Sequence, residues 1–397
     1  MKTKLSEVAN IKLGKMLDAE KNKGDLQPYI GNINVRWGEF DLESVSLMRF
    51  EENEQERYRL QYGDLIVCEG GEPGRCAIWE NQLPGMKYQK ALHRVRGNER
   101  VLNNRFLMYW LYLTYHSGKL KRYFTGSTIH HLPTEALSNI EIDLPSIETQ
   151  NSIARFCENI DRKIALNNAL NAELEKTAKL LYDYWFVQFD FPDENGNPYH
   201  ASGGAMEYNE QLKREIPKGW RVEALGEMLD ISRGSIITEK DTAPGEVKVV
   251  AAGITHSYFH AESNRPKNTI TVSSSGANAG YLNFWQEEIY ASDCITVRAK
   301  SDVETLLAYH FLKSMQTILF RKATGSAQPH VYPHDIAGLQ MPEIPANLIE
   351  KIRELFIGIN NQIGKNKIQN KELTALRDFL LPLLMNGQVT VATKDNE

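Results

Sequence analysis

The chain repeats itself: residues of its first half return in the same order about 200 positions later. This displacement is far longer than the roughly 20–50 residues of a solenoid repeat, so the repeated unit is a whole domain with its flanking segment. We therefore predict two copies of one folding unit. The matched pairs are Gly70 and Gly276, Gly74 and Gly280, Trp79 and Trp285, Tyr88 and Tyr290, Val95 and Val297, Tyr109 and Tyr309, and Thr125-Gly126-Ser127 and Thr324-Gly325-Ser326.

Each copy starts with short strand-like runs and ends in a long helical tract. Residues 64–68 and 294–298 are mainly apolar runs near glycine-rich turns, which is typical of strands. After Pro145 and Pro342 the apolar residues follow steps of three and four, the period of a helix. We predict an α+β fold class with two mixed α/β domains, each followed by a long helix.

Both helical tracts carry an apolar seam that two asparagines interrupt. These residues are Asn167 and Asn171 in the first tract and Asn366 and Asn370 in the second. Asparagine in such a seam costs stability but fixes the register, because only one alignment pairs the amides. We predict that the two helices pack on one another. The alternative is that each helix covers its own domain while the asparagines face water.

The spacing of turn residues divides the chain into segments. A helix over residues 148–186 would be about 58 Å long at about 1.5 Å per residue, which suits a spacer. Clustered Pro, Gly, Asn and Ser residues between the copies predict a linker. The predicted segments are a first domain over 1–145, a first long helix over 146–189, a linker over 190–220, a second domain over 221–342, a second long helix over 343–387 and a frayed tail over 388–397.

Composition excludes several classes of protein. With 42% hydrophobic and 24% charged residues the chain can bury substantial cores, which argues against a disordered chain. Because no stretch approaches the roughly 18 apolar residues of a membrane span and the first residues do not resemble a signal peptide, we expect a soluble cytoplasmic protein. The scattered cysteines are expected to be reduced packing residues: Cys68, Cys76, Cys157 and Cys294.

A search for enzymatic motifs is mostly negative. The sequence has no phosphate-binding loop that ends in Gly-Lys-Ser or Gly-Lys-Thr. His130 and His131 are adjacent, so they cannot both face one metal ion from a regular element. Ser273-Ser274-Ser275-Gly276 lacks the upstream glycine of a nucleophile elbow. We expect no catalytic residue, no metal site and no cofactor in this chain, and predict a protein that binds and discriminates.

Several motifs together resemble the specificity subunit of type I restriction-modification systems. No single motif is decisive, but their order, repeated along almost the whole chain, is specific. The residues that carry the resemblance are Gly63-Asp64-Leu65-Ile66-Val67, Thr125-Gly126-Ser127-Thr128, Ile153-Ala154, Ile160-Asp161-Arg162-Lys163-Ile164, Leu180-Leu181-Tyr182-Asp183-Tyr184-Trp185-Phe186 and Ile216-Pro217-Lys218-Gly219-Trp220.

The resemblance implies a non-catalytic subunit of a phage-defence complex. Two target recognition domains would each read one half of a split DNA sequence, and two antiparallel coiled-coil helices would set the distance between the halves. The helices would also dock two methyltransferase subunits, which restriction subunits then join. S-adenosylmethionine, ATP and Mg²⁺ are expected on those partners. The net charge of −5 fits a subunit that shares DNA binding with its neighbours.

Base reading needs hydrogen-bond donors and acceptors on a framework that phosphate contacts position. Both copies place such side chains in segments predicted to be loops or strand ends. The candidates in the first copy are Lys87, Gln89, Lys90, Arg94, Arg96, Ser127, Thr128, His130 and His131. The candidates in the second copy are Ser274, Ser275, Asn278, Ser326, Gln328 and His330.

Other interpretations of these residues stay open. Arg94 and Arg96 alternate along a predicted strand, so one face of it could be solvated or could contact phosphates. His130 and His330 could support their loops through hydrogen bonds. The whole chain could also be a coiled-coil scaffold whose globular domains bind protein or peptide. Salt-dependent retention of DNA would separate that scaffold from a DNA-specificity subunit.

Overall fold

The structure is a computed structural model that describes residues 2–18, 22–323 and 329–391. It forms two compact units: unit 1 contains residues 1–165 and 371–397, and unit 2 contains residues 166–370. Each unit therefore holds one copy of the repeat together with one end of each long helix. The boundaries between these units fall inside the two long helices, whereas the predicted segments have their boundaries at the ends of those helices.

Unit 1 contains nine strands among its described residues. They form a four-stranded antiparallel sheet in the order β2-β8-β5-β6, a three-stranded sheet in the order β4-β3-β7 and the pair β1-β9. The strands are Lys2–Lys4 (β1), Ala9–Leu13 (β2), Asp25–Ile30 (β3), Ser46–Phe50 (β4), Leu65–Cys68 (β5), Cys76–Ile78 (β6), Lys87–Tyr88 (β7), Leu92–Gly97 (β8) and Glu141–Asp143 (β9). The helices are Leu5–Val8 (α1), Gln55–Tyr58 (α2), Asn104–His116 (α3), Thr134–Ser138 (α4) and the first part of Ile147–Tyr182 (α5).

Unit 2 repeats this topology. Its sheets follow the orders β13-β19-β16-β17, β15-β14-β18 and β12-β20, and it adds the hairpin β10-β11. The strands are Met206–Asn209 (β10), Arg214–Pro217 (β11), Val222–Ala224 (β12), Asp230–Arg233 (β13), Val247–Val250 (β14), His256–His260 (β15), Thr269–Ser273 (β16), Leu282–Trp285 (β17), Ile289–Ala291 (β18), Cys294–Arg298 (β19) and Gln340–Pro342 (β20). The helices are Leu225–Met228 (α6), Asp302–Ser314 (α7), Gln316–Lys322 (α8), Pro333–Ala337 (α9) and most of Ala346–Met385 (α10). The last part of α5 also lies in unit 2, and the last part of α10 lies in unit 1.

The four-stranded sheet of unit 1 is covered on both faces. Leu65 and Val67 of β5 pack in one apolar core with residues of α3, whereas Ile66 and Cys68 pack in a second core with residues of β3 and β4. All residues of β5 are buried. This explains why β5 is a continuous apolar run, since a strand that is buried on both faces does not alternate with polar residues.

The helix that covers each four-stranded sheet starts at a side-chain cap. In unit 1 the Asn103 side chain accepts hydrogen bonds from the backbone N–H groups of Arg105 and Phe106 at the start of α3. In unit 2 the Ser301 hydroxyl accepts one from Glu304 N at the start of α7. These caps satisfy N–H groups that the first helical turn leaves without partners.

The two long helices pair antiparallel within each unit. In unit 1, Ile153 and Cys157 near the start of α5 share a core with Leu381 and Leu384 near the end of α10. In unit 2, a small core joins Ala178 near the end of α5 to two residues in the first half of α10, Ile359 and Ile363. The predicted α+β fold class, with two pseudo-repeated mixed domains and two long antiparallel helices, is confirmed.

The seam asparagines meet in unit 2. Asn167 Nδ2 donates to Asn370 Oδ1 at 2.8 Å, and Asn366 Nδ2 donates to Asn171 Oδ1 at 2.8 Å. Asn167, Asn171 and Asn366 are buried. Because these amides bond to each other, the alternative in which they face water does not describe the structure. The pairs fix one register of α5 against α10.

A polar network joins the same helices in unit 1. Arg377 Nη1 of α10 donates to Asp161 Oδ1 of α5 at 2.6 Å, and the Tyr109 hydroxyl of α3 donates to Asp161 Oδ2 at 2.6 Å. Burial, with the Asp161 charge, raises the pKa of Tyr109 well above its ordinary value, so the phenol stays protonated and donates. This network ties both helices to the domain of unit 1.

Buried amide side chains fasten each domain to a long helix. In unit 1, Gln150 of α5 is fully buried; its Nε2 donates to Val101 O at 2.8 Å, and its Oε1 accepts from Asn103 N at 3.0 Å. In unit 2, Asn360 of α10 donates to Asn268 Oδ1 at 3.1 Å and accepts from Gln286 Nε2 at 3.0 Å. These bonds fix the orientation of each sheet on its helix.

The predicted linker is partly regular. It contains the hairpin β10-β11 and a stack of aromatic rings in unit 2, where Phe191 lies parallel to Tyr199 at 4.8 Å and to Trp220 at 5.4 Å. Before it, α5 ends in a π-helical turn over Asp183–Val187. None of the helices in the described ranges combines the length and the apolar character that a membrane crossing needs.

Candidate nucleic-acid interface

Several loops of unit 1 meet at one end of its four-stranded sheet. Glu69 N donates to Ala91 O at 2.9 Å, and Leu132 N donates to Glu69 O at 2.7 Å. His131 packs close to Gly70, because a Cβ at Gly70 would lie 3.1 Å from His131 Nδ1 and the ring would have to shift slightly. We call this surface loop end 1 and define it as residues 14–16, 69–74, 89–91 and 125–132.

Unit 2 builds the same surface from matched segments. Val331 N donates to Ser274 O at 2.9 Å, Gly276 N donates to Pro329 O at 3.0 Å, and Gly234 N donates to Cys294 O at 2.9 Å. We call this surface loop end 2 and define it as residues 233–236, 274–280, 292–293 and 329–334. Ser326 and Gln328, two predicted DNA contacts, lie outside the described residues.

Loop end 1 brings together most of the candidates of the first copy. Lys90 is exposed and Gln89 is half-buried, and both lie just before β8. His130 Nδ1 donates a hydrogen bond to Gly126 O at 3.0 Å, so its ring supports the loop while staying exposed. The other exposed candidates on this surface are Ser127, Thr128 and His131.

Two candidates of the first copy are buried. Lys87 is 3% exposed, its Nζ donates to Gln55 O at 2.9 Å, and burial lowers its pKa. Arg94 is 3% exposed; its Nη1 donates to Arg57 O at 3.3 Å and its guanidinium lies over the Tyr88 ring. As folded, neither side chain can reach a duplex. This corrects the prediction that both contact DNA.

Arg96 lies at the opposite end of β8 from loop end 1. It forms a bidentate ion pair with Asp64, with Nε 2.7 Å from Oδ1 and Nη2 2.8 Å from Oδ2. Asp64 is 1% exposed, so the guanidinium neutralises a buried carboxylate. Arg96 was predicted to contact DNA; the structure places it in this ion pair, away from the other candidates, with its side chain 37% exposed.

In the second copy, the predicted serines orient another side chain. Ser274 and Ser275 are buried, and their hydroxyls lie 2.7 Å and 3.2 Å from the two carboxylate oxygens of Asp293. The prediction that they contact DNA directly is therefore corrected: as folded, they hold an exposed acid. Asn278 is half-buried in a 3₁₀ turn, and His330 is half-buried beside Tyr332.

Sequence reasoning missed an exposed stack on loop end 2. The Arg233 guanidinium lies 5.4 Å from the centre of the Tyr332 ring, and His334 stacks on the same ring at 5.5 Å. All three side chains are exposed. The registers of β13 and β2 place Arg233 where the first copy has the apolar Leu13, and this match becomes visible only once the strands are paired.

The two loop ends offer the groups that read and hold DNA. Ammonium, guanidinium, imidazole, hydroxyl and amide groups donate to base edges and phosphates, and a carboxylate accepts from base amino groups. In the described part of the chain, no group of three or more His, Cys, Asp or Glu side chains has the geometry of a metal site. The hydrogen-bonding groups of the two loop ends suit recognition of a polar surface.

Comparisons with known proteins match almost the whole chain. Residues 1–176 and 217–375 match the family model described as the type I restriction modification DNA specificity domain, and the two ranges correspond to the two copies. The type I restriction enzyme MjaIX specificity subunit of Methanocaldococcus jannaschii is 25% identical, over 83% of this chain and 78% of that protein. The HindI specificity subunit of Haemophilus influenzae is 20% identical, over 84% of this chain and 88% of that protein.

A solved structure shares the fold. The crystal structure of the type I restriction-modification S subunit from M. genitalium superposes with a TM-score of 0.59 and 18% sequence identity, over 97% of this chain and 95% of that one. The family model covers far more than half of the chain, once for each copy of the repeat. The chain therefore belongs to the type I restriction modification DNA specificity family.

Proposed function

We propose that the chain is the non-catalytic specificity subunit of a type I restriction-modification complex in the cytoplasm. Each mixed domain reads one half of a bipartite DNA target. The observation that carries this proposal is that one fold builds the same loop end twice, with different side chains on each. Membership of the family does not favour the alternative of a protein-binding scaffold.

The physical basis of reading is a rigid frame with variable loops. Matched sheets, caps and buried amides hold the frame in both units, whereas the exposed side chains at the loop ends differ. Since the net charge is −5, bulk attraction to DNA is weak. Phosphate contacts by partner subunits would supply much of the affinity while this chain supplies the discrimination.

The long helices are the proposed docking surface for two methyltransferase subunits. Several of their large apolar side chains are exposed, including Leu166 at 66%, Leu170 at 46% and Ile368 at 62% in unit 2 and Phe379 at 67% in unit 1. Exposed apolar side chains of this size suit a protein interface. Restriction subunits would join this assembly, and S-adenosylmethionine, ATP and Mg²⁺ would be held by the partners.

A domain exchange tests the proposal. Residues 1–145 are replaced by the matched domain of a relative with a different target, and the hybrid is expressed with its methyltransferase partner. Sequencing of methylated sites in the host genome should show one half of the motif changed and the other half kept. An unchanged motif would contradict the proposal, and so would a motif that changes in both halves.

A further inference from the structure

The carboxylate of Asp293 is exposed on loop end 2 and held in one orientation. The Ser274 hydroxyl lies 2.7 Å from Oδ1, and the Ser275 hydroxyl lies 3.2 Å from Oδ2. Both serines are buried, at 7% and 9% exposure. The Ser274 hydroxyl also lies 3.0 Å from Asp293 O, so its one hydrogen is shared between that backbone oxygen and Oδ1. The two buried serines still restrict the rotation of the exposed carboxylate, because each contacts a different oxygen of it.

The fold does not require an acid at this position. Ala91 stands at the matched position in unit 1, because Tyr88 and Val95 match Tyr290 and Val297 at the same displacement. Ala91 supports the same frame through its backbone oxygen, which accepts from Glu69 N at 2.9 Å. Loop end 1 and loop end 2 therefore share a backbone arrangement at this position, but only loop end 2 carries a carboxylate there.

The charge of Asp293 has no cationic partner within the described ranges. Among the residues that the structure describes, no Lys, Arg or His lies within ion-pair distance of it. Each oxygen keeps lone pairs beyond the one that a serine occupies. A partner that donates hydrogen bonds at this surface would complete the arrangement.

The chemistry of a carboxylate narrows that partner on DNA. A carboxylate accepts only, so it pairs with the exocyclic amino groups of cytosine N4 and adenine N6 in the major groove. It faces repulsion from thymine O4, guanine O6 and phosphate oxygens, which all accept. A fixed carboxylate therefore rejects the wrong base as well as binding the right one.

We propose that Asp293 reads an exocyclic amino group of a cytosine or adenine in the half-site of unit 2, and that Ser274 and Ser275 are positioning residues for it. This inference rests on the proposed function, since it assigns a contact within the second half of the target. Arg233 and Tyr332, on the same surface, would lie beside this contact.

The test compares D293N with the matched control D230N. Asp230 is also exposed, on the same sheet, but starts β13 at the end opposite the loops. Each full-length variant is co-expressed with the methyltransferase partner, and the complex is incubated with duplexes randomised over the target and sequenced after retention. D293N keeps the size of the side chain but adds a donor, so discrimination at one position of the second half should fall about tenfold or more.

The supporting result is relaxed discrimination at that position with an unchanged first half, an unchanged spacer and a normal D230N motif. An unchanged D293N motif would overturn the inference, as would an equal change in D230N, which would indicate a charge effect. Thermal melting of D293N should match that of the parent chain. An S274A variant should relax the same position, and relaxation at a different one would contradict its positioning role.

Exchange of residues 221–342 for the matched domain of a relative with a different target distinguishes two failures. One is failure of the Asp293 contact, and the other is failure of the proposed function. If this exchange changes the second half of the motif while D293N does not, only the assignment of Asp293 fails. If the exchange leaves the motif unchanged, unit 2 does not read DNA and the proposed function itself fails.

Discussion

His310 of unit 2 is half-buried and packs against three aromatic rings. It stacks on Tyr182 at 5.6 Å and meets the edges of Tyr309 and Phe356 at 5.5 Å each. Burial is the main cause that lowers the pKa of His310 to about 4. The nearby Asp183 carboxylate raises the pKa, and the Lys179 ammonium lowers it. The imidazole is therefore neutral in the folded chain at neutral pH.

This shift predicts that unit 2 loses stability in mild acid. The unfolded chain binds a proton at His310 below about pH 6.5, whereas the folded chain binds it only near pH 4. The free energy of unfolding therefore holds the full contribution of the neutral His310 side chain above about pH 6.5. It falls by up to about 3 kcal/mol as the pH approaches 4.

Urea unfolding at pH 7 and pH 5 should show H310F losing less stability than the parent chain. H334F, at an exposed position, should behave like the parent; equal losses in all three would contradict the assignment.

Lys90 should contact a phosphate from loop end 1. Replacing it with alanine removes one released counterion, so the slope of log affinity against log salt should fall by about one, with similar weakening on all sequences. Fluorescence anisotropy of the assembled complex on labelled duplexes measures this slope. The control is R100A, at an exposed position beyond the other end of β8. Identical slopes for K90A and the parent would contradict the prediction.

The residue types at the loop ends could be read from the sequence, but their exposure could not. Arg94 and Arg96 both occur in a basic, strand-like run, yet one is covered by packing and the other pairs with Asp64. Asp293 gains its role only because residues far apart in sequence meet at loop end 2. Tertiary contacts decide these outcomes, and the local pattern does not encode them.

Among the helices and strands, the two long helices were predicted correctly from the spacing of their apolar residues and from their apolar seam. The apolar steps indicated both tracts, and the repeated asparagines indicated where the helices meet. The π-helical end of α5 and the hairpin β10-β11 were not predicted, because the first depends on packing at the helix end and the second lies in a segment rich in turn residues.

The asparagine pair Asn171–Asn366 should stabilise the helix pairing as a unit. N366A leaves Asn171 Oδ1 without its donor in a buried site, so we expect a loss of about 1–3 kcal/mol in the free energy of unfolding. The double variant N171A/N366A should cost less than the sum of the single variants, with a coupling of about 1 kcal/mol. Denaturant titration gives these values. The exposed N361A serves as control, and strict additivity of the two buried sites would count against the pair.

At the scale of the whole molecule, the internal repeat was the most informative feature of the sequence. It predicted two copies of one fold, and the matching strand orders of the two units agree with it. The division into units could not be predicted, because each unit takes one end of each long helix. Which helix ends belong together depends on the antiparallel packing of segments that are far apart in the chain.

The exposed apolar side chains of the long helices should matter for assembly. In L166K/L170E, two exposed apolar side chains of α5 become charged, so folding should be unaffected while binding of the methyltransferase subunits weakens more than about tenfold. Co-purification and size-exclusion chromatography of the complex measure this loss. K176E, at an exposed polar position of the same helix, should assemble normally. Normal assembly of L166K/L170E would exclude this face of α5 as a docking surface.

One chain is expected to read two separate half-sites of DNA. Whole-genome mapping of adenine methylation in a host that carries this chain with its methyltransferase partner tests it most directly. We expect one motif made of two defined halves separated by a spacer of fixed length and undefined sequence. A single uninterrupted motif, or methylation without sequence preference, would contradict it.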